Sequence, residues 1–129
     1  KDIAELTEAK AKEIYLEKYW GPMNLDAIKS ATIAILIFDQ AVNRGVSATM
    51  QVIQKIMLAD RWNQVIQRIN GVKQNWLALE IVKQAQDHYV NVALADTTQL
   101  VFLRGWINRT QRMMEILLPP DPEPTPEPL

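Results

Sequence analysis

Ala78, Ile81, Val82, Ala85, His88, Tyr89, Val92 and Ala93 recur at i, i+3, i+4 and i+7 over four turns, and only an α-helix gathers them on one face. Asn75 opens this run. So continuous a stripe needs partners, and the rest of the chain offers them at the same period. Thr7 is a good N-cap with Glu8 in the first turn, and Ala11, Ile14, Tyr15 and Tyr19 form the apolar side of a first helix that Gly21-Pro22 stops. Ser47 is expected to cap a helix with Met50, Ile53, Ile56 and Met57 on one side. Asp60 is expected to cap a shorter one with Val65, Ile66 and Ile69 inward, ending at Asn70-Gly71.

The segment Ala31 to Phe38 is harder to read, because Ile33, Ile35 and Ile37 are β-branched and alternate as a buried strand would. Ala41 and Val42 continue at helical spacing and no second strand exists to pair with it. A central buried helix from Leu25 or Ser30 to Arg44 is therefore expected, apolar nearly all round. In the last helix Asp96 and Gln99 form a capping box, and Leu100, Leu103, Ile107, Met114 and Leu117 face inward. Gly105 lies within it, where a glycine costs about 1 kcal/mol against alanine, so another backbone or a ligand is expected to approach closely. The fold class is all-α: five to six helices around a buried central one.

Six of the seven prolines lie between Pro119 and Pro128, beside Asp121, Glu123 and Glu127. PPDPEPTPEPL cannot supply backbone donors and reads as an extended, polyproline-like linker or tail, 119–129, leaving a slightly basic body of 1–118. Lys1 is not a start methionine, so the chain reads as processed or cut from something longer, and the acids near its start leave no signal peptide visible.

Composition removes whole classes of chemistry. There is no cysteine and one histidine, so thiol nucleophiles, Cys zinc sites and His-pair metal sites are excluded. The longest apolar run, Ile33 to Phe38, is far short of the roughly 18 residues of a membrane span. A net charge of -1 argues against a nucleic-acid partner. No phosphate loop or Ser-His-Asp set is present, and neither cofactor nor metal is expected.

Carboxylates and aromatics remain, the materials of a glycan site. Tyr19 and Trp20 end the first helix, Asp39 follows the most buried run, and Trp106 sits beside Gly105. Asn43, Asn108 and Arg109 can donate to sugar hydroxyls or acetamido groups. Each also has a structural reading: Trp20 and Trp106 as packing, Asp39 as an ion-pair partner of Arg44 or Arg109, His88 as a satisfied core histidine.

Four ordered blocks, LTEAKAKEIYLEKYW (Leu6 to Trp20), AILIFDQAVNRG (Ala34 to Gly45), VIQKIM (Val52 to Met57) and FLRGWINR (Phe102 to Arg109), resemble glycoside hydrolase family 108, bacterial and phage murein hydrolases of the N-acetylmuramidase type. The resemblance implies a lysozyme-like helical domain acting on peptidoglycan strands in the periplasm or cell wall. It also implies a mechanism in which a protonated Glu delivers its proton to the oxygen between N-acetylmuramic acid and N-acetylglucosamine. Family members carry that Glu in a Glu-Gly-Gly context, which this chain does not contain: none of Glu5, Glu8 or Glu13 stands in one. The turn that members write Asp-Gly-x-x-Gly-Pro-x-Thr is here INGVKQNWLA, matched only at Asn70-Gly71. The chain is thus expected to supply glycan groove (Tyr19, Trp20, Asn43, Trp106, Asn108, Arg109) and wall binding, with Asp39 as a second carboxylate and no general acid of its own. It is expected to be inactive alone and to self-associate or pair with a preceding segment. The alternative is a non-catalytic wall-binding or protein-interaction module.

Overall fold

The computed structural model describes residues 7–117, all of whose regular structure is helical. The proline-rich stretch 119–129 and the side chain of Leu117 lie outside the described residues. Contacts divide the chain into two compact units, Lys1–Ala85 and Gln86–Leu129, with the boundary inside one long helix.

In the first unit, α1 (Glu8–Tyr15) starts where Thr7 Oγ1 accepts from Lys10 N at 3.1 Å, as the sequence predicts. Its outer face carries the exposed pairs Lys10–Glu13 and Lys12–Glu8. The helix then widens into a π-turn over Leu16–Trp20, closed by Gly21 N donating to Leu16 O at 2.8 Å. A Cβ on residue 21 would stand 3.0 Å from that same oxygen, a tight contact that glycine relieves without any shift of the carbonyl. A 3₁₀ turn at Leu25–Ala27 follows, and Met23, Leu25 and Ile28 fill the core beneath it.

Helix α2 (Ala31–Arg44) begins at Ser30, whose Oγ accepts from Ile33 N at 3.2 Å. Helix wins over strand here: Ile33, Ala34, Leu36, Ile37 and Ala41 are all buried, which only a helical period allows. Burial is not complete all round, since Ile35 is 38% exposed and Phe38 half-buried.

Helix α3 (Val46–Met57) packs against α2, burying Thr49, Ile53 and Met57. Its N-cap is Gly45 at φ 92°, not Ser47, which sits inside the first turn. The tight reversal after α2 needs positive φ, and glycine supplies it more cheaply than serine caps. At its far end Leu58 takes the left-handed position (φ 55°), and Arg68 Nη1 donates to the carbonyls of Met57 (2.7 Å) and Leu58 (2.5 Å). Helix α4 (Trp62–Ile69) buries Val65, Ile66 and Ile69 as expected, but Arg61 precedes it where Asp60 was expected to cap, and no side chain caps it.

Asn70 is a clamp that spacing alone does not announce. Its Oδ1 accepts from Lys29 N at 2.8 Å and its Nδ2 donates to Ala27 O at 2.9 Å, tying the end of α4 to the strap before α2. Helix α5 (Gln74–Ala95) buries Leu77, Ala78, Ile81, Val82 and Ala85 within the first unit.

In the second unit, α5 continues with Tyr89 and Ala93 buried. Asp96 caps a 3₁₀ turn, Thr97–Gln99, rather than the helix itself, and α6 (Leu100–Leu117) follows. Leu103, Ile107 and Met114 are half-buried, but Leu100, on the same face at the first turn of α6, is left 50% exposed. Thr110, unremarked in the sequence, is the buried residue among the described side chains of α6: its hydroxyl donates to Ile107 O at 2.8 Å and accepts from Gln86 Nε2 at 3.1 Å.

Candidate functional site

The π-turn brings an aromatic wall together. Tyr15, Tyr19 and Trp20 surround the ring of Phe38 on α2, with centroids 5.9, 6.3 and 5.6 Å from it and edge-to-face geometry throughout. Tyr15 and Tyr19 lie 6.1 Å apart. Leu16 and Trp20 are neighbours at i and i+4 in any helix, whereas the five-residue closure of the π-turn also brings Trp20 to the side of Tyr15, at i and i+5, from which an uninterrupted α-helix would turn it away. The Trp20 indole is oriented by its Nε1, which donates to Asp26 Oδ1 at 2.8 Å.

Beside this wall runs an open groove of about 310 Å³ lined by Lys12, Tyr15, Leu16, Trp20 and Phe38. Tyr15 and Leu16 are 44% and 54% exposed, so its apolar surface faces solvent. One ammonium stands at its edge, and no carboxyl group is among its lining residues.

Asp39 and Asn43 occupy the next row around α2. Asp39 is 9% exposed, and Asn43 Nδ2 donates to its carbonyl (2.7 Å) and to its Oδ1 (3.3 Å). The Asn43 amide is thereby fixed against its own helix, and the Asp39 carboxylate is held by a neighbour one turn on. Tyr19 and Trp20 form one cluster, Asp39 and Asn43 another.

In the second unit Trp106 is half-buried and stacks on Tyr89 at 5.2 Å and 29°, with Phe102 5.9 Å away on α6. Asn108, two residues on, leaves α6 on another side and is exposed, as is Arg109. His88 is half-buried beside Tyr89, with ring centroids 5.8 Å apart. Gly105 departs from expectation: a Cβ there would meet nothing within 4 Å, so no backbone of the described residues approaches it. Its Cα faces open space on the outer side of α6.

Sequence reasoning missed the π-turn and with it the roles of Leu16 and Lys12. The available signal was Trp20-Gly21-Pro22, where a glycine follows an aromatic pair. No helix among the described residues is long and apolar enough to cross a membrane.

The family model for glycosyl hydrolase 108 matches residues 1–45, a stretch that contains both the π-turn and α2 and therefore the whole aromatic wall. Neither the curated proteins nor the solved structures give a match.

Proposed function

We propose, starting from the match of residues 1–45 to glycosyl hydrolase 108, that the first unit is the glycan-engaging part of a peptidoglycan hydrolase of the N-acetylmuramidase type. Its action would lie at the cell wall or in the periplasm. The observation that carries the reading is the aromatic wall, whose residues all fall within the matched stretch and of which Tyr15, Trp20 and Phe38 line an exposed groove. A pyranose presents an apolar C–H face and a polar rim, so an indole, a phenol and a phenyl ring edged by one lysine suit it.

The groove lining contains aromatic surface and a cation but no acid that could protonate a glycosidic oxygen. Cleavage by the family mechanism needs two carboxyl groups flanking the scissile bond. Asp39, directly after Phe38, is the carboxylate nearest in sequence to the wall, and the hydrogen bond from Asn43 fixes its position. Asp39 is assigned the second carboxylate, and the chain binds glycan without cleaving it. Trp106 and Arg109, one turn apart on α6, are assigned a further stretch of the glycan, with the stacked pair Tyr89–Trp106 as platform, and Asn108, on another side of the helix, is left out of it.

The test is to mix the chain with purified insoluble peptidoglycan, sediment, and measure both bound protein and new reducing ends. Binding without reducing-end release is the expected outcome. Release at rates comparable to a complete muramidase would overturn the non-cleaving assignment, and absence from the pellet would overturn the reading as a whole.

A further inference from the structure

The groove beside the aromatic wall leaves contiguous apolar surface in water. Tyr15 and Leu16 stand 44% and 54% exposed along about 310 Å³ of open space, with Trp20 and Phe38 completing the apolar lining. Clustered exposure of this kind marks an interaction surface, whereas scattered single residues do not. The surface is also held in shape. Three rings meet Phe38 edge to face, and the Trp20 indole is pinned through its Nε1 to Asp26 Oδ1 at 2.8 Å. What that indole leaves to a ligand is ring surface, not its N–H. The charge on the lining is one ammonium, Lys12, and no carboxyl group lies among the lining residues. Glu8 stands 3.9 Å from Lys12 Nζ with both side chains largely in water, a weak pairing that leaves the ammonium able to take another acid.

The chain carries one segment of matching chemistry. Of the eleven residues 119–129, six are proline, three are acidic and none is basic. Each proline removes an N–H and keeps its carbonyl, so the segment is rich in acceptors and poor in donors. That complements a lining that offers an ammonium and no carboxylate. Proline-rich segments in the polyproline conformation dock on aromatic grooves, because the extended chain is preformed and loses little entropy there. At about three residues per turn, that conformation would set Pro119, Pro122 and Pro128 on one face and Asp121 and Glu127 on another.

We propose that the aromatic groove docks the proline-rich acidic segment 119–129 of a second copy of this chain, and that the docked segment competes with glycan for the same rings. A second copy can present the segment whatever the arrangement of the two units within one chain. Proline rings lie on Tyr15, Trp20 and Phe38, and Lys12 takes one of the acids. The docking stands on the groove and the segment alone; its meaning as regulation of a glycan site rests on the reading above.

The experiment follows the Trp20 indole N–H by ¹⁵N NMR in the full chain and in a full-length variant carrying Pro122→Ala, Pro124→Ala and Pro126→Ala, which leaves the helical body untouched. In the parent the Trp20 resonance should move between dilute and millimolar protein, and the variant should need about tenfold more protein for the same shift. A synthetic PPDPEPTPEPL peptide added to the variant should reproduce the parent's shift. Lys12→Gln, at an exposed position, should weaken that peptide by up to about fivefold. The peptide should also lower the fraction of chain that sediments with peptidoglycan. A Trp20 resonance unmoved by millimolar peptide overturns the docking, while sedimentation without peptide still decides the glycan reading on its own. A difference between parent and variant that does not change with concentration overturns the second copy as the source of the segment. Docking of the peptide with sedimentation undiminished overturns the competition, and docking without any sedimentation removes the glycan reading and leaves the docking standing.

Discussion

The same substitution, threonine to valine, should have opposite effects at two buried positions. Thr49 on α3 is 1% exposed, and its Oγ1 has no hydrogen-bond partner. Thr110 on α6 is 4% exposed, and its hydroxyl makes two hydrogen bonds, to Ile107 O and from Gln86 Nε2. Valine is nearly isosteric and equally β-branched, so helix propensity and volume change little in either case. At residue 49 the substitution removes a hydroxyl that was desolvated without compensation, a penalty of about 1–3 kcal/mol in proteins. Helix relaxation returns part of it, so Thr49→Val should stabilise by about 1 kcal/mol. At residue 110 two bonds worth about 0.5–1.5 kcal/mol each are lost, while the half-buried Gln86 amide recovers some solvation, so Thr110→Val should cost about 1–2 kcal/mol. The assay is urea denaturation of both variants, followed by tryptophan fluorescence and by amide exchange in each unit. One kcal/mol moves the melting temperature of a domain this size by about 4–8 °C, well within reach. Destabilisation by Thr49→Val as large as that by Thr110→Val would refute the reasoning, since it would mean that the Thr49 hydroxyl is satisfied.

Gly105→Ala should stabilise α6 by about 1 kcal/mol, because the added methyl meets open space and the helix gains propensity; a loss of stability by thermal melting would show that the position is covered after all. Asn70→Ala should cost about 1–3 kcal/mol by removing both arms of its clamp on Ala27 and Lys29, and faster amide exchange at Lys29 N–H should accompany it; unchanged exchange there would argue against the clamp. The Asp96 carboxyl is held below its ordinary 3.8, first by the Thr98 hydroxyl and then by the Thr98 backbone N–H. A depressed pKa means that the capped turn is fully favoured above that ordinary value and loosens as pH falls through the lower, folded one. The Thr98 amide shift should therefore titrate with a midpoint below 3.8, and Asp96→Asn should abolish that step; a midpoint at or above the ordinary value would contradict it.

Local signals were legible where the physics is local. Thr7 and Ser30 cap because a side-chain oxygen meets an N–H three residues on, and the inward faces of α4 and α5 follow from period alone. The choice of helix for Ala31 to Phe38 also came from short-range evidence, the continuation at Ala41 and Val42. What failed depended on partners distant in sequence or on empty space. Gly105 reads the same whether a neighbour crowds it or nothing is there. Gly45 displaced Ser47 as the start of α3 because the path of the chain after α2, not the side chain, set the boundary. The π-turn needed the distance from Gly21 to Leu16 O, and the Asn70 clamp spans more than forty residues, so neither leaves a spacing to read. Of the site, Tyr19 and Trp20 were visible as residues, but the groove beside them was not, since Tyr15 joins Trp20 through the π-turn and Phe38 comes to them from α2.

The proposed meeting place for glycan is the aromatic wall formed by the π-turn and α2. Four indole N–H groups report on this independently, one for each tryptophan. Trp62, whose Nε1 donates to the carbonyl of the fully buried Met23, serves as an internal reference. Selective ¹⁵N labelling of tryptophan, followed by titration with soluble, uncleaved peptidoglycan strands, should shift the Trp20 indole resonance while the Trp62 resonance stays in place. A Trp20 resonance that does not move at saturating, millimolar glycan, or that moves only together with Trp62, would contradict the claim.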